Sequence, residues 1–285
     1  MSAPTLALTG VTGAVGGLVA AALAGRGVPL RLLARDPGRV APLPGATVVA
    51  ASYGDAAQAR AALAGVETLL MVSASESADR LDQHRRFVDA AAAAGVQHVV
   101  YTSFLGAGPD ATFTLVRDHG ATEGHLRAAV PHVTALRDSL YADFFAELAG
   151  ADGVLRGPAG DGQVAPVARA DVARAATAVL RDPLPHRDRT YQLTGPELVT
   201  FARAAEVLTE VTGRPVRYLD ETLEQAYASR ASYGAPDWQV AAWVSTYTAV
   251  AAGELAVLSD DVERLTGRRP QTLPEVLRAR LDPAG

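Results

Sequence analysis

Cysteine and lysine are both missing from this chain of 285 residues. The absence of cysteine excludes disulfides, thiol nucleophiles, iron–sulfur clusters and zinc sites built on cysteine. The absence of lysine excludes Schiff-base catalysis, which requires an amine side chain. All 26 basic residues are therefore arginine. The histidines and carboxylates are too scattered along the chain to indicate a metal site.

Long apolar runs and an excess of positive charge are also missing. No uncharged apolar run reaches the ~18 residues that span a bilayer, and the first residues lack the basic and apolar regions of a signal peptide. The formal net charge is −5, which gives no indication of a surface for nucleic acid or for an anionic membrane. We therefore expect a globular cytoplasmic protein whose partner is neither a nucleic acid nor a membrane.

A glycine-rich turn near the start is the most informative motif that is present. Residues 6–17 read LALTGVTGAVGG, an apolar segment followed by spaced glycines and an Ala/Leu/Val-rich stretch. This order predicts a strand, a phosphate-binding turn and a helix. Gly10 permits the tight turn, Gly13 lets the backbone approach a pyrophosphate, and Gly16 lets the helix pack on the strand. The N-terminus of that helix then offers N–H groups to the phosphates.

Strand-like and helix-like segments alternate over the first half of the chain. Short continuous apolar runs predict strands at 5–9, 30–34, 47–51, 68–72, 98–103 and 132–136, and helical patterns fall at 14–24, 56–63, 78–94 and 118–129. This alternation predicts an α/β fold with a Rossmann-like doubly wound parallel sheet.

Beyond about residue 140 the pattern loosens. Helices are predicted at 170–180, 200–212, 221–231 and 237–252, two short ones after them, and strands at 189–193 and 216–218. We expect a single NAD(P)-binding domain over 1–285, in which 1–140 form the dinucleotide-binding core. Residues 141–285 mainly form a smaller C-terminal mixed α/β substrate lobe.

The second predicted strand runs into Arg35 and Asp36. In dinucleotide folds the residue at this strand tip meets the adenosine ribose, where an acid bonds the 2′-hydroxyl of NAD and an arginine pairs with the 2′-phosphate of NADP. Arg35 occupies the tip, which favours NADP, and the competing interpretation is a solvated arginine in a turn. Asp36 serves the ribose hydroxyl instead if the register shifts by one residue.

Two further strand ends contribute candidates. Asp55, beyond the third strand, suits either the adenine amino group or the N-cap of the helix that follows. Ser73, Ala74 and Ser75 follow the fourth strand, where small residues let the backbone lie against a cofactor. Because the carboxyl ends of parallel strands form the ligand crevice, we expect these groups to lie close together.

Motifs spread over nearly the whole chain show a family resemblance. They include QHR at 83–85, AAAGVQHVVYTS at 92–103, LRDSLY at 136–141, ARAD at 168–171 and YQLTG at 191–195. With these motifs the chain resembles the NmrA-like family of atypical short-chain dehydrogenases/reductases, and is most similar to bacterial flavin-free NAD(P)H:quinone oxidoreductases of type 2. The resemblance implies NADPH as the cofactor, with NADH as the alternative, and neither flavin nor metal.

The resemblance also implies site residues. The cofactor contacts that we expect are Gly10, Thr12, Gly13, Ala14, Val15, Gly16, Arg35, Asp55, Ser73, Ala74, Ser75, Asp138, Ser139, Tyr141 and Arg169. Tyr141 is expected near the nicotinamide, and Arg169 near the phosphates or the substrate entrance. The chain departs from many relatives after Glu123, where they carry lysine and this chain has Gly124. A role for that lysine is not carried over.

The catalytic candidates are Tyr141, His119 and Ser103. Neither Tyr101 nor Tyr141 is followed four residues later by lysine, so the tyrosine–lysine pair of typical short-chain dehydrogenases is absent. Ser103 ends the fifth strand, and the alternative to a catalytic role is a hydrogen bond that closes the strand end. His119 suits a proton donor because histidine titrates near neutrality, and a structural role is the alternative.

The loss of the tyrosine–lysine pair fits an electron-poor acceptor better than a simple ketone, because hydride addition to a quinone gives a delocalised hydroquinone anion. We therefore expect NADPH-dependent hydride transfer to a small-molecule quinone or similar conjugated carbonyl. Two alternatives are open: a redox sensor that binds NADP(H) without turnover, and a tailoring reductase or isomerase of secondary metabolism. The oligomeric state is also open, with a homodimer common among such folds.

Overall fold

The first half of the chain alternates strands and helices as predicted. In the computed structural model, which describes residues 5–281, the elements are β1 (Leu6–Leu8), α1 (Ala14–Ala24), β2 (Leu30–Ala34), β3 (Ala46–Ala50), α2 (Ala56–Ala62), β4 (Thr68–Met71), α3 (Arg80–Ala93), β5 (His98–Phe104), α4 (Thr114–Ala129) and β6 (His132–Asp138). The bounds of α1 and β2 agree with the prediction residue for residue. Helix α3 begins two residues later than predicted, after Asp79, whose carboxylate accepts hydrogen bonds from Ser77 and Gln83. Helix α4 begins four residues earlier than predicted.

The second half contains shorter elements. They are α5 (Phe145–Leu148), β7 (Val154–Gly157), β8 (Gln163–Val164), α6 (Arg169–Arg181), β9 (Thr190–Leu193), β10 (Val199–Thr200), α7 (Phe201–Thr212), β11 (Arg217–Asp220), α8 (Leu223–Arg230), α9 (Asp237–Ala251), α10 (Asp261–Thr266) and α11 (Leu273–Leu281). Helix α7 ends at Gly213 with φ of 68°, the left-handed residue that commonly ends helices. Elements α5, β7, β8 and β10, each of two to four residues, are not among the predicted elements.

Seven strands form one sheet in the order β3-β2-β1-β4-β5-β6-β9. Strands β3, β2, β1, β4 and β5 pair in parallel with their neighbours. The order 3-2-1-4-5-6 is that of the doubly wound dinucleotide fold, whose strand order reverses between β1 and β4. The predicted Rossmann-like fold class is confirmed. Two small two-stranded sheets, β11 with β7 and β10 with β8, complete the strands of the described residues.

The chain divides into two compact units that are discontinuous in sequence. The first unit holds residues 5–103, 118–137 and 172–191, and the second holds 104–117, 138–171 and 192–281. Most of α6 and half of β9 belong with the first unit. Each unit has its own apolar core, around Phe87 and Tyr101 in the first and around Phe145 and Phe201 in the second. Over residues 5–281, no helix combines the length and the apolar character that a membrane crossing requires.

Candidate functional site

A cleft of about 470 Å³ lies in the first unit at the carboxyl ends of β1 to β4. Doubly wound sheets bind their ligands at this edge. The lining comes from four strand ends and from α3, namely residues 9–13, 33–35, 51–54, 72–77, 83 and 87. Among these lining residues Arg35 carries a positive charge and Glu76 a negative one.

The glycine turn forms one end of the cleft with the predicted geometry. Gly10 has φ of +65°, a left-handed conformation that favours glycine, and a Cβ at this position would lie 2.7 Å from the Cβ of Val72. The N–H of Gly13 donates to the carbonyl of Gly10 at 2.9 Å and closes the turn. A Cβ at Gly16 would overlap the carbonyl oxygen of Gly10, so α1 packs directly on the turn.

Helix α1 begins at Ala14, directly after this turn. Its N-cap is Gly13, which has no side chain, and no side-chain hydrogen bond caps the first turn. The N–H groups of Ala14, Val15 and Gly16 therefore have no side-chain partner, and together with the partial positive charge of the helix N-terminus they can bind an anion. These three residues begin the helix, while Gly10, Thr12 and Gly13 line the cleft.

The structure places Arg35 and Asp36 differently at the tip of β2. Arg35 is exposed and lines the cleft. Asp36 is not among the lining residues, and its carboxylate accepts a hydrogen bond from the N–H of Gly38 at 3.0 Å. The acid caps its own turn and the arginine is left at the tip.

The end of β3 contributes Tyr53 instead of Asp55. Asp55 is exposed, does not line the cleft, and caps α2 by accepting from the N–H of Gln58 at 2.9 Å. Of its two predicted roles, the structure shows the helix N-cap. Tyr53 lines the cleft, and its ring stacks on Phe87 with centroids 4.2 Å apart. The sequence signal for Tyr53 is its place just after β3, where the prediction named only Asp55 as a cofactor contact.

Comparison with known proteins agrees with this geometry. A family model described as NAD(P)H-binding matches residues 10–183. The chain belongs to the NAD(P)H-binding family. It is 34% identical to quinone oxidoreductase 2 of Escherichia coli (strain K12), over 95% of this chain and 96% of that protein. It is 29% identical to the NAD(P)H azoreductase of Xenophilus azovorans, again over 95% and 96%.

Solved structures extend the similarity to the whole fold. The crystal structure of the E. coli NADPH-dependent quinone oxidoreductase complexed with NADPH has a TM-score of 0.88 and 34% identity, and the match covers 95% of this chain and 98% of that one. NmrA, a negative transcriptional regulator in complex with NADP, has a TM-score of 0.77 at 17% identity, over 98% and 95%. The NmrA likeness shows a shared fold. The predicted family is thus confirmed.

The small residues after β4 line the cleft as predicted. Ser73, Ala74 and Ser75 are all in its wall. Seven of the predicted cofactor residues are therefore together in the cleft, and they are Gly10, Thr12, Gly13, Arg35, Ser73, Ala74 and Ser75.

Ser103 is buried in a carboxylate cluster of the first unit. Its hydroxyl donates to Oε1 of Glu123 at 2.6 Å, and Glu123 also accepts from Arg127 at 2.9 Å and from Arg137 at 2.8 and 2.9 Å. Burial alone would raise the pKa of Glu123, but the hydrogen bonds from Arg137 and Ser103 outweigh it and hold the pKa below its usual range. The single proton of Ser103 is thus committed to Glu123.

His119 is also buried in the first unit, with both ring nitrogens in contact with protein groups. Nε2 lies 2.9 Å from the guanidinium of Arg80, and Nδ1 lies 2.9 Å from the hydroxyl of Tyr101. Because arginine can only donate, Nε2 accepts and Nδ1 carries the proton. Burial, followed by the charge of Arg80, lowers the pKa of His119 well below 6.5. The ring is neutral at physiological pH.

Four predicted residues lie in the second unit. The hydroxyl of Tyr141 donates to Oδ2 of Asp138 at 2.8 Å, and the guanidinium of Arg169 lies 5.2 Å from the centroid of the Tyr141 ring. Burial raises the pKa of Asp138 to about 8, although the hydrogen bond from Tyr141 opposes this shift. Oδ1 of Asp138 and Oγ of Ser139 are buried without a hydrogen-bond partner among the described residues.

Proposed function

We propose that this protein is an NADPH-dependent oxidoreductase that transfers a hydride to a quinone or a similar conjugated carbonyl. The observation that carries the choice of NADPH is the tip of β2, where Arg35 lines the cleft and Asp36 is committed to Gly38. A planar guanidinium binds a phosphate through paired hydrogen bonds. The names of the curated relatives, a quinone oxidoreductase and an azoreductase, support an acceptor of this class.

The cofactor is proposed to lie along the strand ends of the first unit. The first turn of α1 holds the pyrophosphate through its N–H groups, and Arg35 holds the 2′-phosphate. Tyr53 and Phe87 offer aromatic surface, and the backbone after β4 supports the middle of the dinucleotide. When bound, NADPH supplies the hydride.

Proton delivery to the acceptor is assigned to Tyr141. Its hydroxyl is paired with Asp138, a carboxyl that keeps its proton at neutral pH because burial raises its pKa to about 8. In the structure the Tyr141 hydroxyl donates to Oδ2 of Asp138, so its proton reaches another acceptor only when this hydrogen bond reverses and the protonated carboxyl donates to the tyrosine oxygen. His119 and Ser103 are assigned structural roles, because their partners Tyr101, whose pKa is raised, and Glu123, whose pKa is lowered, hold no proton that is exchanged near neutrality and could replace theirs.

The test is the oxidation of NADPH and, separately, of NADH by purified protein with a benzoquinone or a naphthoquinone. We expect turnover that prefers NADPH, and we expect R35Q to lose most of that preference by raising KM for NADPH alone. The matched control is R39Q, because Arg39 is an exposed arginine in the same turn that does not line the cleft. Equal use of NADH and NADPH by the wild type would contradict the role of Arg35.

The redox-sensor alternative makes a different prediction. A sensor binds NADP(H) without consuming it, and the NmrA likeness supports only a common fold. Tight dinucleotide binding with no turnover across a quinone panel would therefore replace the reductase by this alternative or by a tailoring enzyme with another substrate.

A further inference from the structure

The cleft wall after β4 is held by side chains instead of by neighbouring strands. The N–H of Val72 donates to Oγ1 of Thr9 at 2.8 Å, and the carbonyl of Val72 accepts from the hydroxyl of Tyr53 at 2.5 Å. Because the tyrosine proton goes to Val72, the 2.6 Å contact between Thr9 and Tyr53 is donated by Thr9. A closed ring of three hydrogen bonds fixes Val72. The next N–H, of Ser73, donates to Oγ1 of Thr102 at 2.8 Å.

Both backbone polar groups of Ala74 are bound by side chains of α3. Its N–H donates to Nε2 of His84 at 2.9 Å, and its carbonyl accepts from Nε of Arg80 at 3.0 Å. Ala74 lines the cleft, while His84 and Arg80 do not. The two α3 side chains therefore act on the wall from behind.

The tautomer of His84 is fixed by its second partner. Since Nε2 accepts from Ala74, the proton lies on Nδ1, which donates to Oγ1 of Thr122 at 2.9 Å. Thr122 passes its own proton to the carbonyl of Asp118 at 2.7 Å. Burial, and secondly the charge of Arg80, lower the pKa of His84 to about 3. The ring is therefore a neutral acceptor aimed at one amide.

Arg80, which binds the carbonyl of Ala74, is also held in place by its neighbours. Its side chain is buried and forms an ion pair with Asp118 at 3.3 Å. The same guanidinium contacts His119 at 2.9 Å, which is in turn bonded to Tyr101. Helix α4 supplies Asp118, His119 and Thr122, so α3 and α4 together form the support behind Ala74.

We propose that His84 and Arg80 are positioning residues of the dinucleotide cleft, which orient the two peptide units that flank Ala74 so that the cofactor meets this residue through apolar contact and not through a backbone hydrogen bond. The proposal rests on the cofactor binding proposed above. An amide that turns toward the cleft would compete for the phosphates or the nicotinamide and would narrow the site. The two hydrogen bonds of Ala74 with His84 and Arg80, which we call the clamp, prevent this orientation of the amide before the cofactor binds.

The experiment compares NADPH dissociation constants, by fluorescence titration, with amide exchange over residues 72–77. H84F keeps a ring of similar shape but leaves the Ala74 N–H without an acceptor, and we expect about a fivefold or larger rise in Kd and faster exchange of that amide. H84Q places an amide oxygen toward Ala74 and an N–H toward Thr122, so we expect it to restore most of the affinity. The control is H98F, which removes an equally buried histidine of the same unit that does not line the cleft and whose Nε2 contacts Thr134.

Each outcome decides between the proposals. No binding of NADPH by the wild type refutes the cofactor role of the cleft. Binding by the wild type with unchanged Kd and exchange in H84F refutes the clamp alone. An equal rise in Kd for H98F also refutes the clamp, because it points to general loss of stability. If H84F fails to fold, T122V is measured instead, because it keeps both histidine nitrogens but removes the hydroxyl that holds the proton on Nδ1. We expect an intermediate rise in Kd for T122V. An unchanged Kd overturns the inference.

Discussion

Three buried histidines give the stability of this protein a pH dependence whose direction the structure determines. His84, His98 and His119 are 0%, 1% and 6% exposed. Burial lowers the pKa of His84 to about 3 and of His98 to about 4, and lowers that of His119 well below 6.5. Each ring stays neutral in the folded protein at pH 5.5, whereas in the unfolded chain it titrates near 6.5 and binds a proton. The free energy of unfolding therefore falls as the pH drops below about 6.5.

Asp138 opposes this trend. Its pKa of about 8 means that the folded protein holds a proton that the unfolded chain releases at any pH above about 4. At pH 5.5 the three histidines take up about 2.7 protons on unfolding and Asp138 releases about one, which leaves a net uptake of about 1.7 protons by these four groups; His186, whose pKa is lowered by partial burial, adds to the uptake. The free energy of unfolding then changes by about 2.3 kcal/mol per pH unit. At pH 7.5 the sign reverses, with a net release of about half a proton.

The assay is proton uptake in a pH-stat when concentrated urea unfolds the protein at pH 5.5 and at pH 7.5. The matched variant is H98Q. Nε2 of His98 donates to Thr134, whose own proton goes to the carbonyl of His186, and a glutamine amide can make the same donation. Nδ1 of His98 has no partner among the described residues, so the substitution loses no other hydrogen bond. We expect H98Q to lower the uptake at pH 5.5 by about 0.9 protons. An unchanged uptake in H98Q, or none in the wild type, would refute the neutral buried histidines.

Three further predictions concern single residues. G16A forces a Cβ into the backbone of the glycine turn and should lower the free energy of unfolding by about 1–3 kcal/mol in urea denaturation. G124A, in a helix where a Cβ meets nothing within 4 Å, should raise the free energy of unfolding by about 0.5–1 kcal/mol. A change of the same sign in both variants would contradict the close packing of α1 on the turn. Quinone turnover should fall above about pH 8 as Asp138 loses its proton, and the pH–rate profile of D138N should lack that limb; a limb that persists in D138N removes Asp138 from proton delivery. Y53F opens the hydrogen-bonded ring around Val72 and should lower the free energy of unfolding by about 1 kcal/mol and raise Kd for NADPH; no change in either would show that the ring does not support the wall.

The parts of the site that follow from backbone geometry could be predicted from sequence. At Gly10 and Gly16 the neighbouring atoms leave no room for a Cβ, so the spacing of the glycines predicts the turn directly. Helix α1 and strand β2 also have the predicted bounds, because α1 directly follows the glycine turn and β2 is a mainly apolar segment that ends before Arg35 and Asp36. Arg35 follows from counting to a strand tip, because parallel strands bring their carboxyl ends to one edge of the sheet.

The parts that depend on pairing between distant side chains could not be predicted. His84 and Thr122 are 38 residues apart, and Tyr53 and Thr9 are 44 apart. His84 belongs to a motif used for the resemblance, yet no local pattern says that it binds the N–H of Ala74. The role of Asp55 could not be predicted either, because an acid after a strand suits a helix cap and a cofactor contact equally well until the fold is known.

The absence of lysine narrows the choice of proton donor once the buried groups are described. Arginine keeps its proton at all physiological pH values, so a group that exchanges a proton near neutrality must be a histidine, a carboxyl or a perturbed tyrosine. The buried histidines of the first unit are held neutral, with pKa values displaced downward. Burial moves the pKa of Asp138 the other way, to about 8, and its Oδ2 is hydrogen-bonded to Tyr141. A carboxyl that holds its proton at pH 7 can replace a proton that its tyrosine gives away. We therefore propose that the general acid of this lysine-free reductase is this pair, in which Asp138 stores the proton while burial and Asp138 raise the pKa of Tyr141 well above its usual range.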